Sequence, residues 1–352
     1  MPRQPDSQLV AELLAKWEPE LRSAFLDAVA DIRDSITLRV IVERLERGDV
    51  EGAIRAMNLE PEAFARLERV IAEAYYDGGQ ATVGNLPLVR DPDGSRIVFR
   101  FAVRNPEAEA WLRQHSSGLV TRTTDDMRQA IRQHLTDGLA QGQNPRQTAL
   151  QVVGRVDRAS NRRTGGVIGL TAQQETFVSS ARRELLSGDP EAMRHYLTRG
   201  RRDKRFDRAI LKAIREERPL DSDTVVRIAG RYSDRLLQLR GESIGLSETM
   251  TAIARSRHDA IGQQIAAGKL EARDVVKVWK TTPQEHPRLH HRAMNGKSVP
   301  WGEQFELPNG VRMDYPHAPD APAGETLFCK CTYETRIAFA GALVRRYRAE
   351  AA

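Results

Sequence analysis

Cysteine is the scarcest residue in this chain: 352 positions hold two, Cys329 and Cys331. That excludes a disulfide-dense secreted scaffold, and the small ring closed by a Cys-x-Cys bridge would be strained, so reduced thiols or a shared metal are expected. Aromatic residues make up only 6%. No run approaches the roughly 20 apolar residues of a membrane span. Met1–Val10, polar and carrying two prolines, lacks the apolar stretch of a secretory leader. The expectation is a protein made in the cytoplasm, with no membrane partner. A phosphate loop is also missing: Ser160–Gly169, containing Arg162-Arg-Thr-Gly-Gly166, has neither Walker spacing nor its lysine and reads as an exposed connection.

What is present is mostly helix-forming sequence, 40% hydrophobic and 29% charged. Leu9, Leu13 and Trp17 recur every four residues, Pro19 interrupts, and Leu21, Phe25, Val29, Ile32 and Ile36 resume the stripe. A helix is expected from Pro61 to Tyr76, ended by Gly78-Gly79. Asp91-Pro-Asp-Gly94 signals a turn, with Ile97, Phe99, Phe101 and Val103 alternating behind it as a strand, and Asn105-Pro106 starts a short helix containing Trp111. From Thr123 to about Gly268 the pattern is almost wholly helical, with Asn144 and Thr171 placed as N-caps. Beyond Gly268 the composition changes. Val275–Lys280 reads as a strand, and prolines at 283, 287, 300, 308, 316, 319 and 322 break any long helix.

The net charge of +6 is uneven. Between Arg194 and Arg218 ten basic residues face four acids, a surplus equal to that of the whole chain. Arg155, Arg158, Arg162 and Arg163 make a second basic knot against Asp157. Clustered arginine and lysine form an electrostatic footprint for polyanions such as double-stranded DNA; a solvated helix face is the competing reading. Arg201, Arg202, Lys204 and Arg205 are the candidate contacts.

Both cysteines and four of the eight histidines (His286, His290, His291 and His317) fall in the C-terminal segment. Zinc favours thiolate and imidazole in sets of four, so Cys329, Cys331 and His291 supply three ligands, with His286, His290, His317 or a carboxylate open for the fourth. A cluster of satisfied core side chains without metal is the alternative. A third reading is a metal-dependent DNA nuclease built on His290, His291, Asn295 and His317, although neither the spacing nor an acidic ligand nearby supports it.

Val278-Trp-Lys-Thr281, Arg288-Leu-His-His291, Met294-Asn-Gly296, Phe305, Met313-Asp-Tyr-Pro316 and the run from Glu325 to Cys329-Lys-Cys331 resemble the C-terminal domain of phage Mu F-like minor head proteins, the head morphogenesis family. Arg288, His291, Gly296, Cys329 and Cys331 match its motif positions. Weaker likeness extends to Val153-Gly-Arg155, Gly165-Gly-Val-Ile-Gly-Leu170, Arg240-Gly-Glu-Ser-Ile244 and Leu246-Ser-Glu-Thr249, where Leu246 and Ser247 depart from the pattern. The resemblance implies a non-enzymatic minor capsid protein of the virion, present in few copies, assembled in the host cytoplasm with portal, capsid and scaffold proteins, and in contact with DNA in some relatives.

The resulting expectation is a mainly α protein: an elongated multi-helix body with a small α+β, Pro/Gly-rich C-terminal module. Along the chain it divides into an N-terminal helical domain with one hairpin (1–118), a helical scaffold (119–270) carrying the basic segment 194–218, the module (271–337) and a tail helix (338–352).

Overall fold

The computed structural model describes residues 4–90, 93–102, 105–158, 161–282 and 287–339. His286 and residues 340–352 of the expected tail helix lie outside them. The protein is mainly α with a small α+β C-terminal part. It divides into two compact units, each assembled from separated segments: Met1–Arg22, Leu67–His115 and Ser243–Ala352 form one, Ser23–Arg66 and Ser116–Glu242 the other. The partition expected along the sequence follows composition, whereas these units follow packing. The C-terminal module shares its unit with the start of the chain.

Pro19 does not break its helix, which runs unbroken over Asp6–Ser35. A proline inside a helix costs about 3 kcal/mol. Full burial of Leu21, Phe25 and Val29, at about 1.5–3 kcal/mol each, outweighs it. Pro61 opens a single 3-10 turn, Pro61–Phe64, and the helix that follows, Ala65–Gly84, passes through Gly78 and Gly79. Those glycines serve close packing. A Cβ on Gly78 would lie 2.4 Å from the Ser256 hydroxyl, and one on Gly79 would lie 2.3 Å from the Phe101 ring.

The expected strand behind Asp91–Gly94 shrinks to a two-residue pairing, Val89–Arg90 with Arg96–Ile97. The backbone beyond it bonds to side chains instead of a ladder: Gln264 accepts the Arg100 N–H at 3.3 Å and donates to its carbonyl at 2.7 Å, and Gln263 accepts the Ala102 N–H at 2.8 Å. Val103 lies outside the described residues. The helix starting at Pro106 is 35 residues long, Pro106–Ala140, with Asn105 accepting the Glu107 N–H at its start. Both expected caps are present: Asn144 accepts from Arg146 and Gln147, and Thr171 forms a capping box with Gln174.

The stretch expected as an exposed connection is exposed only at its start, Asn161 and Arg162, and buried at its end, Val167–Gly169. A short hairpin, Arg155–Asp157 with Arg162–Thr164, leads into Val167, Ile168 and Leu170, all at 1% exposure or less. Gly166 has φ +94, and a Cβ there would lie 2.6 Å from the Val152 carbonyl oxygen, so only glycine fits. Two buried arginines satisfy the carbonyls of this loop: Arg33 donates to Ile168 at 3.1 Å and Arg240 to Gly169 at 2.9 Å.

Candidate metal centre

The C-terminal sheet has three antiparallel strands in the order Ser298–Pro300, Val275–Lys280, Thr332–Ile337. Its central strand is buried on both faces, where Trp279 packs at 0% exposure against Phe305, Met294 and Tyr333. Lys280 pairs with Thr332, so the register sets Cys331, one residue before that strand, beside the end of the central one. From there Thr281 reaches back, donating its hydroxyl to the His291 carbonyl at 2.6 Å. Gly296, at φ +83, turns the chain from the helix Leu289–Met294 to the edge strand and donates its N–H to the Trp279 carbonyl. Arg288 donates to the Leu327 carbonyl at 2.8 Å, tying the start of that helix to the turn before the cysteines.

These connections bring three sequence-predicted residues together. His291 Nδ1 stands 3.4 Å from Cys329 Sγ and 3.6 Å from Cys331 Sγ. All three are buried, at 2%, 4% and 2% exposure, and they form a potential His/Cys metal-binding group. The other face of the ring is fixed by a carboxylate: Glu325 Oε2 lies 2.7 Å from His291 Nε2 and 2.7 Å from His290 Nε2, while Asn309 donates to Glu325 Oε1 at 2.8 Å. An ionised carboxylate only accepts, so Nε2 carries the proton and a neutral His291 ring presents its Nδ1 lone pair to the two sulfurs.

The electrostatics follow from this contact set. Burial raises the Glu325 carboxyl, but the bonds from His290, Asn309 and His291 outweigh it and hold the pKa below the ordinary value. Burial lowers His291, and its contacts with Cys329 and Glu325 reverse that, leaving the imidazole raised. The hydrogen bond from Cys331 draws the Cys329 thiol down, against the effect of burial. Cys331 moves the opposite way, because it donates to Cys329 and is itself buried. The contacts favour the thiolate on Cys329 over Cys331, the form that binds metals, and Cys329 Sγ also accepts the Cys331 N–H at 3.3 Å.

Glu325 and Asn309 are the residues that sequence reasoning missed as participants. Glu325 is 34 residues from His291, and nothing in its spacing marks it among 48 acids. It also supplies the acidic group that had seemed absent beside the histidines. Asn295, expected in the nuclease reading, accepts the Thr281 N–H at 3.0 Å. His317 is buried at 2% exposure.

The basic candidates are largely engaged within the chain. Arg202 makes two bonds to Asp207, at 3.0 and 2.9 Å, Arg205 pairs with Asp203 at 2.7 Å, and Arg201 lies 3.6 Å from Glu242. Lys204 is exposed and makes no ion pair among the described residues. Arg205 also lines a cavity of about 580 Å³ with Arg155, Arg182, Arg227 and Arg231.

No helix among the described residues is long and apolar enough to cross a membrane. No protein-family model, curated protein or solved structure matches the chain.

Proposed function

We propose that this chain is a non-enzymatic phage head morphogenesis protein, a minor capsid component acting with portal, capsid and scaffold subunits during procapsid assembly and retained in the virion. A structural zinc ion on His291, Cys329 and Cys331 clasps its C-terminal module. The observation that carries this reading is convergence. Arg288, His291, Gly296, Cys329 and Cys331, the motif positions of the head-protein resemblance, lie up to 43 positions apart and all act at one clasp or at the turn supporting it. The weaker likeness supports it in the same way, since Arg240 bonds the carbonyl of Gly169 within the similar Gly165–Leu170 stretch.

Zinc fits the donor set. Bonds of about 2.3 Å to sulfur and 2.0–2.1 Å to nitrogen at a tetrahedral angle put donors about 3.5–3.6 Å apart. The observed separations are 3.4 and 3.6 Å. The carboxylate behind His291 is the usual partner of a metal-bound imidazole. Ligands at 2–4% exposure leave no route for a substrate, which favours a structural role. DNA contact, where it occurs, rests on Lys204 and on Arg155, Arg227 and Arg231 at the cavity more than on the ion-paired Arg201, Arg202 and Arg205.

In cells producing the phage, the tagged chain is expected to co-purify with portal and capsid subunits and to be present in purified heads. Recovery as a lone protein absent from heads overturns the assembly role. Purified chain incubated with plasmid and magnesium or manganese is expected to leave the DNA intact; cleavage that follows the protein through purification restores the nuclease reading.

A further inference from the structure

We infer that the arginine-lined cavity in the unit formed by Ser23–Arg66 and Ser116–Glu242 is a binding site for a small organic polyphosphate, a nucleoside di- or triphosphate. Arg155, Arg227 and Arg231 also carry the DNA reading above, but this site is independent of the zinc clasp and of the assembly role.

The hairpin of residues 155–164 and the helix Ser222–Ala266 form two of its walls. They are held together at Gly165, where a Cβ would lie 3.0 Å from the Gly230 Cα, and by the Ser233 hydroxyl, which donates to the Gly166 carbonyl. The helices Pro145–Val153 and Ala172–Leu186 add Leu150 and Val178, and the turn Lys204–Phe206 adds Phe206, so part of the lining is apolar. The volume of about 580 Å³ falls within the roughly 300–1,000 Å³ of small-molecule sites. A recess of that volume is about 8 Å across if equidimensional, and a duplex, whose major groove alone spans about 12 Å, cannot enter it. DNA can touch the rim; only a smaller ligand fills the interior.

Five arginines line the cavity against two acids, Asp157 and Asp234. Asp234 is committed to the Gly165 N–H at 2.7 Å and to Arg33 at 3.8 Å. Arg227 and Arg231 stand one turn apart on the same helix, where like charges repel, and neither forms an ion pair among the described residues; Arg227 donates to the neutral Thr224 hydroxyl at 2.9 Å. Arg182 is less well answered still. Its Nη1 donates to Gln151 at 2.7 Å, but its buried Nε has no partner among the described residues. Burial draws its pKa from 12.5 down to about 10, with the charge of Glu175 opposing only in part. An anion in the cavity supplies the acceptor and the counter-charge that this side chain lacks. A carboxylate brings one negative charge, whereas a terminal phosphate brings about 1.5–2 and an adjoining phosphate adds to it, which suits a surplus of three arginines over acids. Guanidinium forks bind phosphate oxygens in pairs, so the chemistry needs no phosphate loop, and Phe206 offers an aromatic ring to a base.

The test is calorimetric titration of the full-length protein, in magnesium-free buffer, with ATP, tripolyphosphate and adenosine. ATP is expected to bind once per chain and about 10-fold or more tighter than either of the other two. Arg227→Gln with Arg231→Gln, both at exposed positions, is expected to weaken ATP by about 10-fold or more while leaving the thermal melt in place. Val156→Asp, which adds an acid to the hairpin wall, is expected to weaken ATP as well and guards against an indirect effect of the paired change. Lys204→Gln, outside the cavity lining, is expected to leave ATP affinity unchanged, which separates this site from DNA contact at Lys204. No binding of ATP at millimolar concentration overturns the site, as does wild-type affinity in both cavity variants. Tripolyphosphate or adenosine binding as tightly as ATP overturns the assignment of a nucleotide. None of these results bears on zinc content or on co-purification with portal subunits, so the two readings fail separately.

Discussion

In the C-terminal module, His291 meets sulfurs 38 and 40 residues away, and its opposite nitrogen is fixed by a carboxylate 34 residues away. In the segment 194–218, Arg202 finds Asp207 five residues on and Arg205 finds Asp203 two residues back. Both regions stand out in the sequence for their density of one kind of side chain. Arg202 and Arg205 pair with local acids, so part of their apparent charge is already answered within the segment. The two cysteines hydrogen-bond to each other, but the histidine meets them only because the sheet register and the turn at Gly296 bring distant positions together. A dense run is therefore a weaker sign of a site than side chains whose partners lie across the fold.

The sharpest way to break this contrast is to remove the sulfurs. Structural zinc contributes about 10–16 kcal/mol in small metal-folded peptides. Cys329→Ser with Cys331→Ser is accordingly expected to abolish stoichiometric zinc in elemental analysis and to lose the cooperative melt of the module. Replacing Arg201, Arg202, Lys204 and Arg205 together by Gln should change stability less: surface ion pairs contribute about 0–1 kcal/mol each, and the half-buried pairs to Asp203 and Asp207 add more than that but less than a structural metal. Equal destabilisation of the two variants would erase the distinction.

Glu325→Gln is the next largest. It keeps the shape of the side chain but removes the charge that orients His291, and is expected to lower zinc affinity by about 10–100-fold in a chelator competition. Unchanged affinity would separate Glu325 from the metal centre.

The arginine segment has its own pH signature. The Arg205 side chain, assisted by the Arg205 backbone N–H, holds Asp203 near a pKa of about 2. A carboxylate depressed in the folded state contributes stability that is fully present above its unfolded pKa near 3.9 and is lost as pH falls through about 2. Asp203→Asn is expected to remove that part of the acid limb in denaturant melts taken between about pH 4 and 2, and an unaltered limb would show that the pair adds nothing.

The smallest expected effect concerns DNA. If Lys204 meets a phosphate, Lys204→Gln reduces the slope of log affinity against log salt by about 0.9. The paired Arg202 and Arg205, changed together to Gln, are expected to reduce it by less than twice that amount. A larger effect from the arginines than from the lysine would show that DNA displaces their internal acids.

Much of the fold was legible from periodicity and caps. The stripe from Leu21 to Ile36, the Asn144 and Thr171 caps, and the strand at Val275–Lys280 are where the sequence places them. The errors share a cause: local breaker rules assume that nothing distant compensates. Pro19 sits inside a helix because the flanking stripe is buried, and Gly78 and Gly79 are small because Ser256 and Phe101 press against them. The alternating run after Ile97 forms no long strand because glutamine side chains from a helix about 160 residues later take its backbone bonds.

At the candidate centre, residue type narrowed the ligands to Cys329, Cys331 and the histidines of the same segment, His291 among them, because soft thiolate and borderline imidazole are the donors zinc favours. The sequence also determined the mainly α class, through repeating apolar spacing that each helix carries within itself. Only the tertiary structure decided that Glu325 orients His291, that His317 is buried, and that Arg202 and Arg205 are paired with nearby acids. Periodicity is written into adjacent residues, but a coordination shell is set by register and turns acting between residues tens of positions apart, and no local pattern encodes those distances.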